Sequence, residues 1–194
     1  MKNISILFIL VFCSCSVVTN HKRSYKEMNA EWKQEMREKG TITYEGKAIP
    51  INELDKKEVD LLKANGQPKI FFLVYTPWDT PESGFSNIKQ FDELAAYKDY
   101  QKIFVSLGYQ DITIYALQKV LSTKPDKAYY LSNGSFGTGF WNKPINFLEY
   151  LTDAPKNKKD LSLPLWVVLD SAGKTLYQST PNSKIADLAN SLSK

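Results

Sequence analysis

The spacing of hydrophobic positions changes several times along this chain. Between residues 24 and 40 the apolar positions Tyr25, Met28, Trp32 and Met36 recur every three or four residues. That spacing predicts one helical stripe, opened by the capping box Ser24/Glu27 and stopped at Gly40. Its polar face mixes both charge signs, which suits packing on a domain better than lying on a membrane. Residues 41–44 and 48–51, flanking Glu45-Gly46-Lys47, predict a β-hairpin. Asn52 is the expected cap of a helix over 53–63, with Leu54, Val59, Leu61 and Leu62 as its apolar positions and Gly66 as its stop.

A different pattern follows. Ile70-Phe71-Phe72-Leu73-Val74-Tyr75 is apolar without a break, too short for an ordinary helix and rich in β-formers. It predicts a strand over 69–76, buried on both faces. Ile88, Phe91, Leu94 and Ala95 predict a helix over 86–97. Residues 103–107 and 128–131 predict strands, and 112–121 a helix between them. The stretch 133–142, NGSFGTGFWN, is rich in glycine and predicts a loop. Pro144 is placed to open a helix whose inner side carries Ile145, Phe147, Leu148 and Leu151. After a charged loop at 156–160, residues 165–169, Asp170-Ser171-Ala172-Gly173 and 175–177 predict a strand, turn and strand. Asn182 is the expected cap of a last helix through Ile185, Leu188 and Leu192. Alternating β and α units predict an α/β fold with a central sheet covered by helices on both faces, made mixed by the closing hairpin.

Composition places the chain among globular proteins: 43% hydrophobic and 24% charged over 194 residues, enough for one domain with appendages. The net charge of +4 is small and spread along the chain, so no nucleic-acid partner is expected. The first fifteen residues read as a leader: Lys2 gives a positive start, and 4–12 an apolar core far short of a bilayer span. They end in Phe12-Cys13-Ser14-Cys15. A small residue before a cysteine resembles the lipobox of bacterial lipoproteins, which implies Cys15 as the lipidated residue and the lipid bilayer as a partner. An ordinary secretory signal is the competing reading. The expected organisation is a leader at 1–15, a tether at 16–23, the amphipathic helix at 24–40 and one domain at 41–194, in the cell envelope and facing the periplasm.

Both cysteines of the chain, Cys13 and Cys15, lie in that leader. Thiolate is the nucleophile of disulfide exchange and of peroxide reduction, so residues 16–194 contain no group for either reaction. His21, the one histidine, falls in the tether, which leaves no histidine for a Ser-His-Asp triad or a histidine-based metal site. Asp79 and Glu82 alone supply too few oxygens for Ca²⁺ or Mg²⁺. Gly134 to Gly139 lack the Gly-Lys-Ser/Thr ending of a phosphate loop. No metal and no cofactor are expected.

Two stretches carry a resemblance. In KIFFLVYTPWDTPESGF (69–85) a buried strand ends in Trp78-Asp79-Thr80-Pro81-Glu82 ahead of a predicted helix, and in LPLWVVLDSAGK (163–174) Pro164 stands directly before a strand. This resembles the thioredoxin superfamily, in which strand, Trp-Cys-Gly-Pro-Cys and helix face a cis-proline, and most of all its membrane-anchored periplasmic thiol-disulfide oxidoreductases. The resemblance implies a thioredoxin-like three-layer sandwich over 41–194. It implies a groove formed by Trp78, Asp79, Thr80, Pro81, Glu82, Leu163 and Pro164, with Leu163-Pro164 cis, and a protein or peptide partner held there by backbone hydrogen bonds. The chain departs from the family at the chemistry, because Asp79 and Glu82 stand where the two cysteines belong. Asp79-x-x-Glu82 also reads as a helix cap, and as a carboxylate pair able to bind or to move a proton. The expected function is a redox-inactive binding or scaffold module, with an oxidoreductase-related protein or a carboxylate-based enzyme as alternatives.

Overall fold

The structure is a computed structural model; it describes residues 30–31, 34, 38, 40–44, 47–74, 94, 97–108, 110, 125–139, 141–161, 165–180 and 183–192. Seven strands form the sheet: β1 (Thr41–Tyr44), β2 (Lys47–Leu54), β3 (Lys69–Val74), β4 (Gln101–Ser106), β5 (Lys127–Leu131), β6 (Leu165–Leu169) and β7 (Thr175–Gln178). Their order across the sheet is β1-β2-β5-β4-β3-β6-β7. Strands β2, β5, β4 and β3 run parallel, whereas β1, at one edge, and β6 and β7, at the other, are joined by antiparallel pairings. The sheet is mixed, as the sequence predicts.

The uninterrupted apolar run of β3 is explained by its place. Every residue from Lys69 to Val74 is buried, with β4 on one side and β6 on the other. Alternate side chains divide between two cores. Ile70, Phe72 and Val74 join Phe104, Trp166 and Val168 under Leu94 and Leu188, the latter from helix α4 (Ile185–Leu192). Phe71 and Leu73 join Ile103, Val105 and Val167 under helices α1 (Lys56–Ala64), α2 (Asn133–Phe136) and α3 (Asn142–Thr152). Helices therefore cover both faces, giving three layers.

Several expectations are corrected. Asn52 does not cap a helix: β2 continues through Leu54, where Asn52 lies opposite Tyr129, and the cap is Asp55, whose Oδ1 accepts the Glu58 N–H at 2.7 Å. Leu54 is consequently a buried strand residue, and Leu61, expected on the apolar stripe, is 57% exposed. The glycine-rich 133–142 stretch is not all loop. Ser132 accepts the Ser135 N–H at 3.3 Å and starts the single helical turn of α2, which buries Phe136 between Phe147 and Tyr150. Within the charged 156–160 stretch, Asn157 and Asp160 form a reciprocal capping box on a short 3₁₀ turn. The stripe Tyr25, Met28, Trp32 and Met36, most of the predicted 86–97 helix, the whole 112–121 helix and the cap at Asn182 lie outside the described residues.

Candidate functional site

The parallel strands end at Leu54, Leu131, Ser106 and Val74, and β6 enters beside them in the opposite sense, with Leu165 opposite Leu73. This carboxyl edge is where α/β sheets usually hold ligands. It is also where both predicted motif segments attach, since Val74 precedes the stretch holding Trp78 and Leu165 follows Pro164 directly. The predicted groove residues Trp78, Asp79, Thr80, Pro81, Glu82, Leu163 and Pro164, and the predicted lipidation site Cys15, lie outside the described residues.

The described residues of this edge are held by local hydrogen bonds. Leu107 N–H donates to the Val74 carbonyl at 3.0 Å, Gly108 N–H to the buried Ser106 Oγ at 3.1 Å, and Ser132 N–H to the Leu54 carbonyl at 3.0 Å. Strand register aligns Val74, Ser106, Tyr130 and Glu53 across β3, β4, β5 and β2. Burial, then the Glu53 carboxylate opposite, raises the Tyr130 phenol above its ordinary value. Lys143, in the first turn of α3, is only 8% exposed. Burial lowers its ammonium to about 8, against an opposing pull from Glu53.

A second polar cluster sits at the other end of the strands. The Tyr129 hydroxyl donates to Glu58 Oε1 at 2.5 Å, and Lys127 Nζ lies 3.4 Å from the same oxygen. Lys69, the first residue of β3, is fully buried and donates to the Gln67 carbonyl. Desolvation pulls its ammonium down, Asp170 opposes that, and Lys127 adds to it. Between α1 and α3 an open groove of about 400 Å³ is lined by Lys56, Ser135, Asn146, Glu149, Tyr150 and Asp153. Much of its polar lining is already committed: the Tyr150 hydroxyl donates to Asp60 at 2.8 and 2.9 Å, Asp153 pairs with Lys63 at 2.6 Å, and Glu149 accepts the Lys156 N–H at 3.0 Å.

Lys143, Lys69 and the Glu58–Tyr129 pair are absent from the sequence expectations. For Lys143 a signal exists: it shares a stripe with Phe147 and Leu151, spaced four apart on the buried side of α3. Trp166 is buried in the core, and among the described residues its Nε1 has no hydrogen-bond partner. Of the loop aromatics, Phe136 is buried, Trp141 is 41% exposed, and Phe140 lies outside the described residues. Among the described residues no three His, Cys, Asp or Glu side chains gather as a metal site, and no helix is long and apolar enough to cross a membrane.

No protein-family model and no curated protein matches the chain. Solved structures do. A thioredoxin-like protein from Aeropyrum pernix aligns at 12% identity over 91% of this chain and 96% of its own, with a TM-score of 0.45. MTB dsbF, in its mixed oxidized and reduced forms, aligns at 15% identity over 66% and 80%, TM-score 0.37. BsSco, a member of the Sco family of cytochrome c oxidase assembly proteins with a disulfide switch, aligns at 14% identity over 79% and 88%, TM-score 0.40. With TM-scores this low, strand order and register are what assign the architecture. A parallel β4-β3 pair flanked by the antiparallel β6-β7 hairpin, with helices on both faces, is the thioredoxin-like sandwich that the sequence predicts.

Proposed function

We propose that this chain is a redox-inactive thioredoxin-like lipoprotein of the cell envelope, anchored through Cys15, that binds an extended protein or peptide segment. The observation that supports the groove is the register of β6 on β3. With Leu73 opposite Leu165, the segments carrying Trp78–Glu82 and Leu163-Pro164 are tethered to one corner of the sheet. An extended ligand there would pair its backbone with the residues beside Pro164 and seat its side chains against Trp78 and the two carboxylates. Such binding needs no thiol, and residues 16–194 contain none.

The experiment is partner capture from an envelope extract with the full chain, comparing wild type with Trp78→Ala and Asp79→Lys. Both substitutions are expected to reduce recovery of the captured protein at least about tenfold, the loss of roughly 1.4 kcal/mol or more of binding free energy. Recovery that neither substitution changes would place the binding surface elsewhere.

A further inference from the structure

The two edges of the sheet are built differently. β7, at one edge, is irregular, because its pairing with β6 shifts register between Val168 and Leu169. An irregularity of this kind discourages further pairing along an edge strand. β1, at the other edge, pairs with β2 without a break, from Thr41 opposite Pro50 to Tyr44 opposite Lys47. Its sequence, Thr-Ile-Thr-Tyr, consists of β-formers and holds no proline and no charge, the usual devices that blunt an edge. The direction of its backbone groups follows from one hydrogen bond: Ile51 N–H donates to the Gly40 carbonyl at 2.8 Å. Hydrogen-bonded and non-hydrogen-bonded pairs alternate along an antiparallel ladder. Ile42 opposite Ile49 and Tyr44 opposite Lys47 are therefore the bonded pairs, and Thr41 and Thr43 turn their N–H and C=O groups outward, away from β2. Among the described residues no strand lies beyond β1, and no hydrogen bond reaches these outward groups. Their register places Thr41 and Thr43 on the sheet face where Pro50 and Ala48 are exposed.

We infer that β1 pairs antiparallel with β1 of a second copy of this chain, so that two seven-stranded sheets join edge to edge. Such a junction must set outward residues against outward residues. One register does so for all of them: Thr41 opposite Thr43 of the partner subunit and Thr43 opposite Thr41 of the partner subunit, with Ile42 on the two-fold axis. Each of these pairs exchanges both N–H···O bonds, so every outward group of β1 on either copy gains a partner. Sliding the strands by two residues leaves one threonine of each copy opposite a position beyond β1. The flanking sequence fits the same register. Continued past β1, it sets Lys39 against Glu45 of the partner subunit and, by symmetry, Glu45 against Lys39 of the partner subunit. This self-complementarity selects a second copy over an unrelated strand. A junction of one short strand from each copy is smaller than a permanent interface, so the dimer is reversible and forms as concentration rises. Three strands separate β1 from β3, and the inference does not rest on the groove proposed at Trp78.

The test uses the full chain carrying Cys13→Ser and Cys15→Ser, so that neither lipid nor a disulfide joins the copies. Sedimentation equilibrium is expected to show monomer and dimer in exchange. Amide hydrogen exchange at Thr41 and Thr43 is expected to slow severalfold from dilute to concentrated protein. Thr43→Pro removes an outward N–H that β2 does not use, a place where an edge strand accepts proline. It is expected to weaken dimerisation at least about tenfold and to leave the circular dichroism of the dilute chain unchanged. A pair of charge variants reads the register without proline. Thr41→Lys with Thr43→Lys sets like charges opposite each other and is expected to abolish the dimer, whereas Thr41→Glu with Thr43→Lys sets opposite charges there and is expected to retain it. A chain that stays monomeric at every concentration overturns the second copy as occupant of this edge. A dimer that Thr43→Pro leaves intact, equal behaviour of the two charge variants, or slowed exchange that spares Thr41 and Thr43 overturns the inference as well.

Discussion

Burial acts in opposite directions on Tyr129 and Lys143. The Tyr129 hydroxyl keeps its proton far above the ordinary tyrosine range, through desolvation first and then the bond to Glu58. Lys143 is pulled down to about 8, because burial costs the charged form more water than the pull of the Glu53 carboxylate returns. For a cation whose folded pKa is depressed, the cost stands in full below about 8. Between about 8 and the ordinary lysine value of 10.5 the unfolded chain holds more protons than the folded one, so stability rises with pH across that window. Replacing the lysine by a side chain of similar length and no charge removes that cost. Lys143→Met is expected to stabilise the fold by about 1–3 kcal/mol at pH 7 in urea unfolding. Its advantage should shrink as pH is raised from 8 toward 10. Equal stability of the two proteins at pH 7 would mean that the ammonium is well solvated in the fold.

At the scale of elements, β3 organises the molecule. Its Phe72 ring lies 6.1 Å from the Phe104 ring and 6.3 Å from that of Trp166, tying three neighbouring strands together on one face. Phe72→Ala is expected to cost about 3–5 kcal/mol of unfolding free energy, since this closely bounded site has little freedom to collapse. A loss below about 1 kcal/mol would show that Phe72 is not in a packed core. This strand and β6 are plain in the sequence because burial on both faces leaves unbroken apolar runs. The boundary between β2 and α1 is not, because Asn52 and Asp55 are both competent caps. What decides between them is the parallel pairing of Ile51 to Leu54 with Ala128 to Leu131, remote in sequence. The turn of α2 is hidden by the glycines in and just after it, and Ser132 supplies the cap that starts it. The proposed groove rests on Trp78, Pro81 and Pro164, whose types and order resemble a known motif. The burial of Lys143 was not legible, because a lysine on an apolar stripe ordinarily reaches for water.

At the scale of the whole molecule, the segments proposed to form the groove attach to the sheet where β3 and β6 meet, at the carboxyl edge. The proposed groove requires no thiol, and the thioredoxin-like architecture supplies a corner where β3 and β6 meet whatever residues stand there. The central claim is that this corner keeps the geometry of a redox site whose cysteines have been replaced by Asp79 and Glu82. The most direct measurement restores them: Asp79→Cys with Glu82→Cys, in a chain also carrying Cys13→Ser and Cys15→Ser, assayed for disulfide reduction and for an intramolecular disulfide. The account predicts no turnover by the parent chain, and a disulfide with measurable turnover in the double variant. Cysteines that fail to pair, or turnover by the parent chain itself, would contradict it.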